Sequence, residues 1–514
     1  MKKNYFIIFL ATLMLPNLSF GQQHLHPCGT PSHHTEWFKD YSRNRAAYRT
    51  GADTMLYVPL TLHILGDDNG NDYISMMKVL DGVCGLNNDF SGSDAAMHYY
   101  IEGDIRYIDS TAWYNHTNNV DGYNMMMQKN IPNTINSYIL GNPAGNAGYN
   151  LPSASAIALS KGAVSLARHT WAHEIGHNLS VQHPFLGWEG NSYSYSTATP
   201  ATVSYNYTSF KKIYYNSTDT TIIDTTYTEL VDGSNCLIAA DRICDTSPDY
   251  LSSGGWSCNS AGESNILQKD FNGVDFRSDA TNIMTYAQDA CGAKFTAGQI
   301  SAMRANLLTE KASYLSNQGM QIDTITQNIA QLYPTPAEVV DFSAVDFVWN
   351  EVDKATHYVL QVSFVPTFSF LHAEVTTTDT LVTVTNFDLN RKYYWRVRPF
   401  NKGYTCAATS PSQDFTTSDL TSVNDIKGVE NYRLYPNLIA SGQPMNFEIR
   451  LTESLDANIL IVSSNGQIVR QSNTNFSVGQ NEYPVTTNGL AAGIYILVVQ
   501  TENGIIRDKF VVGK

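Results

Sequence analysis

One stretch of the chain, residues 169–185 (HTWAHEIGHNLSVQHPF), gathers the residues best suited to hold a metal ion. His173 and His177 are four apart with Glu174 beside the first. On a helix that spacing sets both imidazoles on one face, one turn apart, so both can ligate one ion. His183 lies six residues past His177, which requires the helix to stop and the chain to turn back. Three imidazoles with one open position suit catalytic zinc, and an adjacent carboxylate suits a general base acting on water. The turn falls on Ser180. Glycine would adopt a left-handed turn freely there; serine costs about 1 kcal/mol, small against the binding of zinc. The bland alternative is a set of ordinary polar histidines on an amphipathic helix. The third histidine and a methionine further along argue against it.

That methionine is Met284 in NIMTY (282–286). A methionine in a tight turn below three ligands makes an adaptable apolar floor. Tyr286, two residues on, has a hydroxyl able to donate to a developing oxyanion; the alternative is a buried structural tyrosine. ADRICDTSPD (240–249) brings Asp241, Asp245 and Asp249 close together. Closely spaced oxygens suit calcium, and a solvated acidic loop is the competing reading. Upstream, HPCGTPSHH carries Cys28. A thiolate there is able to take the open zinc position and exclude water, which would make residues 22–54 a latency prosegment. Equally, Cys28 pairs with Cys84 or stays a thiol. His24, His26, His33 and His34 fit a solvated polar segment better than a metal site.

The elements that must position these groups are partly readable. Residues 55–65 (MLYVPLTLHIL) alternate as a first strand, and Ile74, Met77, Leu80 and Val83 space a helix over 74–88. Strands are expected at 99–108, 133–140 and 156–159, with a Gly/Asn-rich loop at 141–150. The zinc helix is expected over 165–179. Residues 186–235, rich in Tyr, Ser, Thr and Asn, read as a long variable insertion with some strand. A helix over 295–308 has Thr296 as its N-cap.

With 514 residues, three or more domains are expected. The net charge of −15 repels phosphates, so nucleic acid is excluded as a partner. Residues 1–21 read as a secretory signal peptide: Lys2 and Lys3, an apolar run over 5–15 too short to span a bilayer, then Ser19-Phe20-Gly21. No transmembrane segment follows. All seven cysteines (Cys28, Cys84, Cys236, Cys244, Cys258, Cys291 and Cys406) come after the signal. An oxidising destination allows disulfides, an odd number leaves one out, and the pairing is open.

HEIGHNLSVQHPF, CDTSPD, NIMTY followed by Cys291, and PCGT together resemble the pappalysin family of metzincin metalloproteases over roughly 28–310. The resemblance implies zinc on His173, His177 and His183, Glu174 as general base and Tyr286 as its assistant. It also implies structural calcium near Asp241 and Thr246, and a prosegment residue capping the zinc. Ser180 departs from the family's glycine. Residues 337–417, with Tyr358, Leu360 and Val362 alternating, then KYYWRVRPFN, resemble a fibronectin type III domain, read by default as a spacer. Residues 423–514, with turn signals at Asn465-Gly466 and Asn503-Gly504 and the runs LYPNL and GLAAGIYILVVQ, resemble the C-terminal sorting domain of the type IX secretion system. That likeness implies a Gram-negative source, engagement of the secretion machinery, and a location outside the cell or on its surface. The expected architecture is multidomain: an α+β metzincin-like catalytic domain over 55–315 followed by two all-β sandwiches. The expected function is a secreted zinc endopeptidase acting on protein or peptide substrates. The rival is a secreted adhesin with an inert protease-like domain.

Overall fold

The computed structural model describes residues 26–48, 54–213, 216–292, 294–316, 321–419, 426–440, 442–463, 467–502 and 504–513. The expected signal peptide, the Asn465-Gly466 turn and Asn503 lie outside the described residues. The N-terminal unit is built on β1 (His26–Cys28), β2 (Leu56–Gly66), β3 (Met97–Ile101), β4 (Arg106–Asp109), β5 (Ile135–Leu140), β6 (Asn146–Leu151) and β7 (Ala156–Ser160). They form one sheet in the order β1-β6-β7-β5-β2-β3, with β4 also on β2. All pairings are parallel except β6 with β7. β2 is buried along nearly its whole length, as a central parallel strand covered on both faces must be.

Helices α1 (Glu36–Arg43), α2 (Met76–Gly92), α5 (Thr170–Asn178) and α6 (Ala297–Leu308) share one apolar core with the sheet. The short α3 (Thr111–Tyr114) and α4 (Asn119–Lys129) accompany a second cluster, in which Tyr123, Met125 and Met126 meet Tyr138, Tyr149 and Leu151. Thr296 does cap α6, in a reciprocal capping box with Gln299. The variable stretch contains a long hairpin, β8 (Thr202–Ile213) with β9 (Asn216–Tyr227), paired along all twelve positions. Two short strands, β10 (Gln268–Lys269) and β11 (Asp275–Phe276), follow.

Four expectations need correction. The single strand at 99–108 is two, β3 and β4, broken around Gly103, which takes a positive φ of 69°. The loop at 141–150 contains most of β6. The helix carrying His173 and His177 begins at Thr170 rather than near Ser165, because Asp289 accepts from the His169 amide and pairs with Arg168, holding the preceding residues in a turn. Finally, the segment at 22–54 is not one uniform polar arm. β1 joins the sheet edge, whereas Phe38 and Tyr41 of α1 are buried in the main core.

Two sandwiches follow. The middle one packs β12 (Gln331–Tyr333), β14 (Ala344–Trp349) and β17 (Leu381–Thr385) against β13 (Glu338–Asp341), β15 (His357–Ser363), β16 (Leu371–Thr377), β18 (Lys392–Phe400) and β19 (Gln413–Ser418). It starts before the expected boundary at 337, since β12 pairs with β14. The last packs β20 (Val429–Tyr435), β22 (Met445–Leu451) and β25 (Gly479–Val485) against a second sheet. That sheet holds β21 (Leu438–Ala440), β23 (Leu455–Ser463), β24 (Ile468–Phe476), β26 (Gly493–Thr501) and β27 (Gly504–Gly513). Three disulfides settle the open pairing: Cys236–Cys244, Cys258–Cys291 and Cys84–Cys406. Pairing of Cys28 with Cys84 is thereby excluded.

Candidate metal centre

α5 is buried over most of its length and presents His173 and His177 on one face. After Leu179 the chain reverses through Ser180, at φ 72°, with Ser180 N donating to His177 O and Val181 N to Gly176 O. The serine at this left-handed position is compensated: its Oγ accepts from Thr35 Oγ1 and from Asn306 Nδ2, both at 3.2 Å. The reversal delivers His183. The three Nε2 atoms then stand 3.0 to 3.2 Å apart, close to the edge of about 3.3 Å that a zinc tetrahedron with Zn–N near 2.05 Å requires.

Each Nδ1 faces an acceptor: Ile283 O at 2.8 Å for His173, Val181 O at 2.9 Å for His177, and Glu189 Oε1 at 3.2 Å for His183. A proton on each Nδ1 leaves three Nε2 lone pairs aimed at one point. Burial also lowers the pKa of His173 to about 4; it holds His177 well below the usual imidazole range, with the charges of His183 and His173 adding to it. Three neutral rings with converging lone pairs repel unless a cation lies between them. Cys28 Sγ completes the group, all four ligand atoms lying within 4.8 Å of one another and all four residues buried. A His₃Cys donor set fits zinc.

Glu174, Met284 and Tyr286 surround this point. Glu174 is fully buried and accepts from Thr30 Oγ1 at 2.8 Å; burial raises its pKa to about 8. Room for it comes from Gly148 of β6, where a Cβ would stand 3.0 Å from Glu174 Cγ. Met284 lies beneath α5, its Sδ 2.6 Å from where a Gly176 Cβ would be. Tyr286 stacks edge-on to His183 at 4.9 Å between centroids, and its hydroxyl donates to Cys28 O at 3.3 Å.

Residues 28–30 therefore meet the histidines, Glu174 and Tyr286. β1 pairs with the edge strand β6, Cys28 opposite Gly148, and Gly29 N donates to Gly148 O. Burial and the Glu174 charge push the Cys28 thiol up; a divalent cation reverses that preference by holding the thiolate. His33 stacks on Tyr207 and His34 is buried against Phe38 with Nε2 facing Ala240 O, so neither reaches the centre.

Asp241 has buried carboxylates for company, although among the described residues only Cys28, His173, His177 and His183 bring three or more ligand atoms as close together as one ion needs. Asp241 is fully buried and its Oδ1 accepts from Thr246 Oγ1 and Ile243 N. Glu229 and Asp249 are buried nearby, and each of the three carboxylates keeps one oxygen without a hydrogen-bond partner among the described residues. Burial, with repulsion from Asp241 and Asp249, raises Glu229 to about 10; burial raises Asp241 to about 8 and Asp249 to about 7. Orphaned, buried carboxylate oxygens suit a hard cation such as calcium. Asp245 is not among them, because it caps α6 by accepting from Gly298 N and Thr296 Oγ1.

Thr30, Glu189 and Glu229 were missed in the sequence. Glu189 and Glu229 sit in the stretch read as variable, where no spacing singles out a carboxylate. The one available signal is chemical: a metal-ligating histidine usually gives its other N–H to a carbonyl or carboxylate.

No curated protein matches the chain. Among solved structures it is similar to the fibronectin(III)-like modules of Clostridium thermocellum CbhA (TM-score 0.17, 8% identity, 36% of this chain and 93% of that one). It is also similar to the FN1-FN3 domains of chicken CNTN1 (TM-score 0.16, 10% identity, 36% and 67%) and to FN3tt (TM-score 0.14, 18% identity, 18% and 99%). Scores this low leave the description of the middle sandwich to its own strand order. Among the described residues no helix is long and apolar enough to cross a membrane. Residues 433–513, the last sandwich, match the secretion system C-terminal sorting domain, so this is a protein that engages the type IX machinery and is secreted or displayed at the cell surface.

Proposed function

We propose that the N-terminal unit is a zinc-dependent endopeptidase of metzincin type, exported from a Gram-negative cell and held latent by its own residues 28–30. The observation that carries this reading is the convergence of three Nε2 atoms, each with its Nδ1 committed elsewhere. His173, His177 and His183 would hold the ion, and zinc in such a setting supplies Lewis acidity that polarises a carbonyl and makes water nucleophilic near neutral pH. Glu174 takes the proton from that water and delivers it to the leaving amine nitrogen. Tyr286, once released from Cys28 O, donates to the oxyanion. A peptide substrate lies along the β6 edge now paired with β1. Asp241, Thr246 and their buried neighbours would hold calcium, which would keep these buried carboxylates ionised. The middle sandwich is read as fibronectin type III-like.

The test is a pair of variants measured for zinc content and casein cleavage after removal of the N-terminal segment. His177→Ala loses both zinc and cleavage, whereas Glu174→Ala keeps zinc and loses cleavage. Chelation abolishes wild-type cleavage. Full cleavage by Glu174→Ala, or none by the processed wild type, would refute the proposal and favour a binding protein with an inert domain.

A further inference from the structure

The middle sandwich is joined to the N-terminal unit far more closely than a spacer is. In a free sandwich the outer face of each sheet is solvated and its strands alternate buried with exposed. Here Tyr358, Leu360 and Val362 of β15 fill the sandwich core, yet Val359 and Gln361 on the opposite face are buried as well. β18 repeats this towards its end: Val397 faces inward, while Arg398 and Phe400 are buried on the outside. Val359 and Phe400 belong to the same apolar cluster as α2 and α5.

Polar contacts follow the same seam. The N-cap of α2, Ser75, makes no side-chain cap, and the first turn holds no acidic residue. Glu374 of β16 does both jobs from the other domain, accepting from Met76 N and from Ser75 Oγ, each at 2.6 Å. Arg398 pairs with Asp81 at 2.6 Å. Ile101 N donates to Lys402 O at 2.8 Å, and His98 Nε2 meets Gly403 O at 2.7 Å, covering the exposed edge of β3. Cys84 of α2 is bonded to Cys406.

α2 in turn holds the zinc helix. A Cβ on Gly82 would stand 2.6 Å from Val164 and 3.0 Å from Trp171, and Asp89 lies 2.9 Å from Nδ1 of His169, the residue before α5. We propose that the sandwich over 331–418 is a fixed brace of the N-terminal unit, docking through the outer face of β15, β16 and β18 to set α2 and, through it, the first turn of α5. Glu374 and Arg398 act as positioning residues. The working body after export is then both domains together, and a cut in the chain between them leaves it whole.

The test uses the full chain carrying Cys84→Ser and Cys406→Ser, with a specific protease site inserted after Ser316. After cutting, the two pieces are expected to co-elute in gel filtration at micromolar concentration, and Glu374→Ala with Arg398→Ala to separate them. In the uncut chain with its disulfide intact, Glu374→Ala or the milder Glu374→Gln is expected to speed amide exchange in the first turn of α2 about tenfold, with a smaller rise at 170–174. Separation of the cut pieces without any interface substitution, or unchanged exchange in α2, overturns the proposal. These readouts need neither zinc nor peptidase activity, so they stand apart from the test of the proposed function.

Discussion

Substitution of Phe38 decides how much of the N-terminal segment leaves the protein. Phe38 is 0% exposed, sits in the main core and is fixed in α1 by the Thr35 cap. Trp37 Nε1 adds a bond to Thr309 Oγ1. Removing a buried phenyl ring costs about 3–5 kcal/mol, or a fall of roughly 10 °C in the unfolding midpoint of a unit this size. A segment that merely plugs the site and departs would give no such dependence once it is gone. In the proposed latency residues 28–30 do the plugging, and they precede the Thr35 cap of α1. The expectation is that processing cuts upstream of Thr35, and that Phe38→Ala lowers the midpoint by roughly the same 10 °C before and after processing. Calorimetry of both forms, with N-terminal sequencing of the processed one, checks this. A processed protein starting at or beyond Thr54, whose stability ignores Phe38, refutes the reasoning.

Glu189→Ala is expected to weaken zinc binding about 10- to 100-fold, and Glu189→Gln less, measured by competition with a chromogenic chelator. Ser180→Gly relieves about 1 kcal/mol of backbone strain but loses two hydroxyl bonds worth about 1 kcal/mol each, so urea unfolding should show a net loss near 1 kcal/mol; a gain in stability would contradict the compensation by Thr35 and Asn306. Glu229, Asp241 and Asp249 have folded pKa values raised to about 10, 8 and 7 by burial. The calcium-free folded state therefore binds more protons than the unfolded one above about pH 4, and its stability should fall as pH rises towards 8. Calcium would hold the same groups ionised, so thermal melts at saturating calcium should lose that slope; identical slopes with calcium and with chelator would remove the calcium reading.

The histidine spacing, the methionine turn and the sorting tail were legible because each rests on local chemistry: ligand offset, turn geometry and strand alternation. β6 was not, since its Asn and Gly read as loop residues. It is a strand because the sheet edge and β1 make it one, and its glycine leaves the space Glu174 fills. α1 was hidden by a polar composition that nevertheless points Phe38 and Tyr41 inward. The brace was hidden for a related reason: burial of both faces of β15 and β18 depends on a partner domain more than 200 residues away, which no local pattern reports.

Arg507 of the last sandwich pairs with Glu338 at 2.6 Å and lies over the Tyr333 ring of the middle one. An ion pair with one partner this exposed is worth about 0–1 kcal/mol and is screened over about 8 Å at physiological salt. This contact alone would therefore not hold the last sandwich in place once the chain between the two was cut, and its departure would follow directly on the scission.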